Sequence, residues 1–204
     1  MHDYVTLWLR DRQLQATERT CRAVAPTERL PLVQSVVQRA DTVDEVYLAL
    51  WIIDRLPYPD FVPYQEAASI IAYKMHMTTH SSDDRKMSLY IKRHKLVCTR
   101  KQLKACEVHV LQTMQWALPS VCIVSHVKII LRAIIGSRHA EKEIGNAVMR
   151  VLLHYEAVGL PEMAVAAAAF CTGICTADDI VRLIKPVVSV SCTTVDALLA
   201  CMWS

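Results

Sequence analysis

Thr42-Val43-Asp44-Glu45-Val46-Tyr47-Leu48-Ala49-Leu50-Trp51-Ile52-Ile53-Asp54-Arg55-Leu56 is the stretch whose reading decides the fold class. Its first four residues form a capping box, Thr at the cap and Glu three positions on. They open a strongly apolar helix through Leu56, and Pro57, Pro59 and Pro63 punctuate the turn after it. Upstream, residues 27–39 carry Leu30, Val33, Val36 and Val37 at helical spacing. Before them, a polar stretch over 15–25 follows a short amphipathic helix over 3–14, with Tyr4, Leu7, Trp8 and Leu14 on one side.

Downstream, a third helix is predicted over 63–77, then a polar loop over 78–84 and a more basic fourth segment through His94. Thr99-Arg100-Lys101-Gln102 is a second capping box, opening a long helix to about Trp116 that Pro119 ends. A second set of segments follows: 120–135 ending at Gly136, 138–155, 161–175, 177–185 stopped by Pro186, and 194–203. Ala67-Ala68-Ser69-Ile70-Ile71-Ala72 after Val62-Pro63 is echoed by Val165-Ala166-Ala167-Ala168-Ala169-Phe170 after Leu160-Pro161. Thr99, Leu103, Ala105 and Cys106 are echoed at the same spacing by Thr194, Leu198, Ala200 and Cys201. Echoes at matching places in two five-helix runs indicate a duplicated unit. The expectation is an all-α protein of two five-helix lobes divided near Pro119, each with an Ala-rich third helix at its centre.

Composition agrees. Four Gly and eight Pro supply little turn chemistry for a sheet-rich fold. Lys+Arg 23 against Asp+Glu 20 is too small an excess to argue for nucleic acid by itself. Eight Cys include no Cys-x-x-Cys pair, and Cys106, Cys122, Cys171 and Cys201 fall in apolar helical patterns, where a free Cys behaves as a small hydrophobe. Met1-His2-Asp3-Tyr4 opens no signal-like stretch, so reduced thiols in the nucleus or cytoplasm are expected. The longest apolar run, residues 163–175, is too short to span a bilayer, and no membrane partner is expected.

Taken in order, these segments resemble a cyclin. Val46 to Arg55 is similar to the second helix of a cyclin box, with its terminal Asp-Arg pair. Ala72-Tyr73-Lys74 is similar to the Ala-x-Lys that ends the third helix. Leu89-Tyr90-Ile91 resembles the fourth helix. Thr99 to Leu118, with Glu107, Leu111 and Gln115-Trp116 at family spacing, resembles the fifth. Leu160-Pro161 and its Ala run resemble the second cyclin fold. The compact length and D-type-like pattern are also similar to the cyclins carried by some large DNA viruses.

The resemblance implies an N-terminal helix and linker over 1–26, a first, kinase-binding cyclin box over 27–118 and a second cyclin fold over 119–204. It implies a non-catalytic regulatory subunit, without cofactor or metal, that binds and activates a cyclin-dependent protein kinase in cell-cycle control and meets that kinase's substrates. In cyclins the Lys of the third helix and the Glu of the fifth face the kinase; here these are Lys74 and Glu107, and Met75, Leu111 and Trp116 follow from the same motifs as apolar kinase contacts, the alternative for each being a place in the core. The residues point the same way. Glu107 sits inside the apolar stripe Leu103, Val110, Leu111, Met114, and Lys74 lies in line with Ala67, Ile70 and Ile71. A lone charge in such a stripe is costly unless paired, either with the other or with a partner's backbone. Superposing the two halves by their Pro and Thr echoes puts Thr172 and Met202 at these places, so neither charge recurs.

Some features depart from the family. The Met-Arg-x-x-Leu-x-x-Trp pattern for docking substrates is absent from the region 25–32, which Pro26 and Pro31 interrupt, and His76-Met77 replace the acidic pair that often follows the Lys. No phosphate loop, His-Glu-x-x-His or Gly-x-Ser-x-Gly supports an enzyme. His94, Cys98, Cys106 and His109 match no common zinc spacing. The competing reading is a cyclin-fold transcription factor or adaptor acting without a kinase. Its basis is the basic stretch Lys92, Arg93, Lys95, Arg100, Lys101, Lys104, which few aromatic residues accompany for stacking on bases.

Overall fold

The structure, a computed structural model, describes residues 22–76, 83–119, 123–135, 141–156, 158–184 and 190–203. The helix expected over 3–14, Cys122 and most of the loop over 78–84 lie outside them. The described residues form an all-α protein of ten helices with two strands of two residues each. The chain divides into two compact units, one of Thr27–Leu118 and one that joins residues 1–26 to Pro119–Ser204.

In the Thr27–Leu118 unit, α1 (Pro26–Val37), α2 (Val43–Ile53), α3 (Val62–His76), α4 (Asp83–His94) and α5 (Arg100–Thr113) follow one another. The Thr42 hydroxyl accepts the Glu45 amide, as the capping box requires, but the Glu45 carboxylate reaches back one residue further, to the amide of Asp41 at 2.8 Å. At Thr99 the box is reciprocal, with Gln102 accepting the Thr99 amide. From Val46 to Ile53 every residue of α2 is buried, so this helix is enclosed on all sides. Helix α3 packs on α2, α4 and α5 and is the centre of the unit. Its small residues Ala67, Ala68 and Ala72 are fully buried and let those neighbours come close. Ile70 and Tyr73 of α3 meet Met87 and Tyr90 of α4, Cys98, and Leu103 of α5 in one apolar cluster.

Pro31 does not end α1. As the sixth residue it forfeits only the bond its amide would have made to Thr27. The end of α5 also differs from expectation. The helix stops at Thr113, well before Pro119, in a turn where the Gln115 amide donates to Gln112 and the Trp116 amide to Leu111. This is a Schellman closure built without glycine, with Gln115 at φ 52° and Trp116 at φ 59°.

In the other unit, α6 (Ile123–Ile135), α7 (Glu141–His154), α8 (Leu160–Thr172), α9 (Ala177–Ile184) and α10 (Cys192–Trp203) form a bundle in which α8 touches all four others. Met163 through Ala169 are fully buried, which only a helix of small side chains surrounded by neighbours permits. Gly173 ends α8 in the left-handed conformation at φ 76°, where any side chain would be strained. Strand β1 (Arg22–Ala23) pairs antiparallel with β2 (Tyr155–Glu156), and the Arg22 guanidinium holds the Glu156 carboxylate at 2.6 Å. This ladder attaches residues 22–23 to the second bundle. Among the described residues no single helix is long and apolar enough to cross a membrane.

Candidate functional site

The two charges that the resemblance singled out, and that lie in apolar stripes, meet. Lys74, in the last turn of α3, donates from Nζ to Glu107 Oε1 of α5 at 2.5 Å. Each side chain is 14% exposed, so the pair sits at the edge of the core, covered below and open on one side. Below Lys74, Ile70 and Ile71 are buried; on either side of Glu107, Leu103 and Val110 are buried. Burying both partners together avoids the cost of a lone buried ion, and the shared opening leaves their outer surface available.

Met75, next to Lys74, is 50% exposed and Trp116 is 65% exposed. Leu111, one turn beyond Glu107, is half-buried, and the Trp116 amide is bonded to its carbonyl at 2.8 Å. The left-handed backbone at Gln115 and Trp116 is unusual for residues with side chains and persists because the Schellman bonds fix it. It holds a bulky indole in solvent. Val108, beside Glu107, is a further exposed apolar residue of α5 that the sequence pattern did not single out. A half-buried ion pair with Met75, Val108 and Leu111 near it in sequence is a surface with the chemistry to bind another protein.

Two buried ionic arrangements, not foreseen in the sequence, brace this unit. Arg29 of α1 forms two parallel bonds to Asp54 at 2.9 and 2.8 Å, with side chains 3% and 5% exposed. Arg55 turns the other way, its guanidinium 3.9 Å over the Trp51 ring and bonded to the Trp51 carbonyl. Glu66 of α3 is fully buried, and its two carboxylate oxygens accept the amides of Val97 and Cys98 at 2.9 and 3.0 Å. These bonds fix the entry to α5, and therefore the height at which Glu107 meets Lys74. Burial, with the Glu66 carboxylate beside it, pushes the Cys98 thiol up to about 12.

The residues considered for a metal are dispersed in role. Cys98 belongs to the apolar cluster, His109 stacks on Tyr64 at 5.4 Å, and His94 lies 4.4 Å from Tyr90. Among the described residues no group of three or more His, Cys, Asp or Glu could hold a metal ion. The basic stretch is exposed at Lys92, Arg93, Lys95, Arg100, Lys101 and Lys104. Arg93 is engaged by Asp41 at 2.6 Å. Against known proteins, no family model matches this chain and no curated protein matches it.

Proposed function

We propose that this protein is a cyclin-type regulatory subunit that binds a cyclin-dependent Ser/Thr protein kinase through the Lys74–Glu107 face and activates it allosterically. The units of Thr27–Leu118 and Pro119–Ser204 are, on this reading, two tandem cyclin folds, the first of which meets the kinase. The observation that carries the reading is the ion pair itself: two charges in apolar stripes, on separate helices, that find each other at an open edge, with exposed Met75 next to Lys74 in sequence and Leu111 one helical turn beyond Glu107. A purely structural pair gives no reason for an exposed Met next to it in sequence or an exposed Trp just past the end of α5, and both residue types suit an interface, Met by adapting its shape and Trp by its large apolar area.

The mechanism is conformational. A rigid face that fits the active arrangement of the kinase better than the inactive one shifts the kinase toward activity by that difference in affinity. Among the features favoured is the kinase's internal Lys–Glu pair, which phosphoryl transfer needs. Because Lys74 and Glu107 are already held against each other, little ordering is left to be done on docking. Action in the nucleus or cytoplasm and on the kinase's own substrates follows from this role.

Recovery of a kinase from cell extract by the immobilised wild-type protein, and its loss with the Lys74→Ala/Glu107→Ala double variant, is the test. Equal recovery with both proteins overturns the interface. The exposed Lys92, Lys95 and Lys101 favour the second reading, a cyclin-fold transcription factor or adaptor. That reading gains if no kinase is recovered and the protein is retained on DNA in a salt-sensitive manner.

A further inference from the structure

The turn between α2 and α3 carries an open groove with a volume of about 560 Å³, lined by Pro57, Tyr58, Pro59, Asp60, Phe61 and Tyr64. It lies at the N-terminal end of α3; the helix rise from Val62 to Lys74 puts it about 18 Å along the axis from the ion pair. We propose that this groove binds a proline-rich peptide in the polyproline II conformation that carries a basic residue beside its prolines. The proposal does not rest on the kinase reading.

The walls are aromatic and are held in place. Tyr58 is 68% exposed and Phe61 50% exposed, so two large rings stand in solvent within four residues. Phe61 meets Tyr64 edge to face at 4.9 Å, and Tyr64 is stacked from behind by His109 at 5.4 Å. The backbone below is tied down. The Phe61 amide donates to the Tyr58 carbonyl, the Tyr64 amide to Phe61, and the buried Gln65 side chain donates to the Pro59 carbonyl at 2.9 Å. Such a surface is formed before any ligand arrives.

The chemistry of the lining selects the ligand. Proline rings pack flat on aromatic faces, and a polyproline II backbone has no internal hydrogen bonds and stays solvated, so the groove need supply no row of backbone partners. Three residues per turn place every third side chain on the same side, which suits a pair of rings standing close together. Asp60 is exposed and makes no ion pair among the described residues, so its carboxylate favours a cation on the ligand. The same charge repels a phosphate backbone, which disfavours nucleic acid here.

The experiment is fluorescence anisotropy of the full chain with a fluorescein-labelled peptide, Pro-Pro-Leu-Pro-Pro-Arg. Saturable binding is expected, weakened about tenfold or more by Tyr58→Ala and about two- to fivefold by Asp60→Asn. Asp60→Lys should reverse the preference, losing the Arg peptide and gaining one that ends in Glu. Both positions are exposed, and circular dichroism checks that each variant keeps its helices. If Tyr58→Ala alone misfolds, the Asp60→Lys reversal decides. The proposal is overturned if binding fails to saturate at millimolar peptide, or if a peptide with Ala for every Pro binds as well. Unchanged affinity in the variants, or capture of a labelled oligonucleotide or a second copy of the chain by this groove instead, also overturns it.

Discussion

Removing the carboxylate of Asp54 leaves the Arg29 guanidinium buried with both forked bonds lost. The pair is almost wholly excluded from water, at 3% and 5% exposure, so solvent screening offers little relief. Breaking such a pair by deleting one partner costs about 3–5 kcal/mol, most of it the penalty of an uncompensated buried charge. Taking a urea dependence of about 2 kcal/mol per molar, Asp54→Ala lowers the unfolding midpoint by about 1.5–2.5 M, a large share of a typical domain's stability. The paired replacement Arg29→Met/Asp54→Leu removes both charges and keeps an apolar filling, so it should recover most of that loss. Urea titrations of the wild type, Arg29→Met, Asp54→Leu and their double variant, followed by far-ultraviolet circular dichroism, give the coupling energy directly, with Asp54→Ala measured beside them. A midpoint shift under about 0.5 M for Asp54→Ala, or a double variant no better than the worse single one, refutes the reasoning.

Two further outcomes are expected. Burial holds the His94 imidazolium below its ordinary value of 6.5 against the opposing pull of the Gln38 carbonyl. The unfolded chain therefore takes up the proton first: stability is full above about pH 6.5 and falls as the pH drops through the lowered folded value. Thermal midpoints measured from pH 8 to 5 should decline less in His94→Gln, and parallel declines would contradict the assignment. Cys175 is exposed, whereas Cys98 is buried with its thiol pushed up to about 12. Iodoacetamide at pH 8, read by peptide mass, should label Cys175 well before Cys98; early labelling of Cys98 would show that its enclosure is not maintained.

Helix positions were legible because their signals are local. Thr42 and Thr99 announce their helices by cap chemistry, and the Ala runs of α3 and α8 announce helices with close neighbours. The end of α5 was misplaced because a Schellman turn usually advertises itself by glycine, and here Gln115 and Trp116 occupy the left-handed positions. The β1–β2 ladder was missed because two residues per strand leave no alternation to read. Lys74 and Glu107 were named by the resemblance to a cyclin box, and their place as charges inside apolar stripes agreed. Arg29 could have been found from such a stripe, since it lies four residues before Val33 and seven before Val36 on the buried face of α1. Its partner Asp54 is 25 residues away, and a bond that fold geometry alone creates has no signature at either end. Glu66 is similar: it accepts two backbone amides, which no side-chain pattern records, and its ion-pair partner Arg39 is 27 residues away.

The central claim is that the Lys74–Glu107 face engages and activates a kinase. The most direct measurement is titration of a purified cyclin-dependent kinase with this protein, reading both binding heat and phosphorylation of a histone-type substrate. Wild type should bind and raise the activity. Glu107→Ala, still helical by circular dichroism, should weaken binding about 30-fold or more, the lower end of what stranding a buried interfacial charge costs. Activation by Glu107→Ala, Lys74→Ala and Trp116→Ala equal to that by wild type, or no binding and no activation by wild type itself, would contradict it.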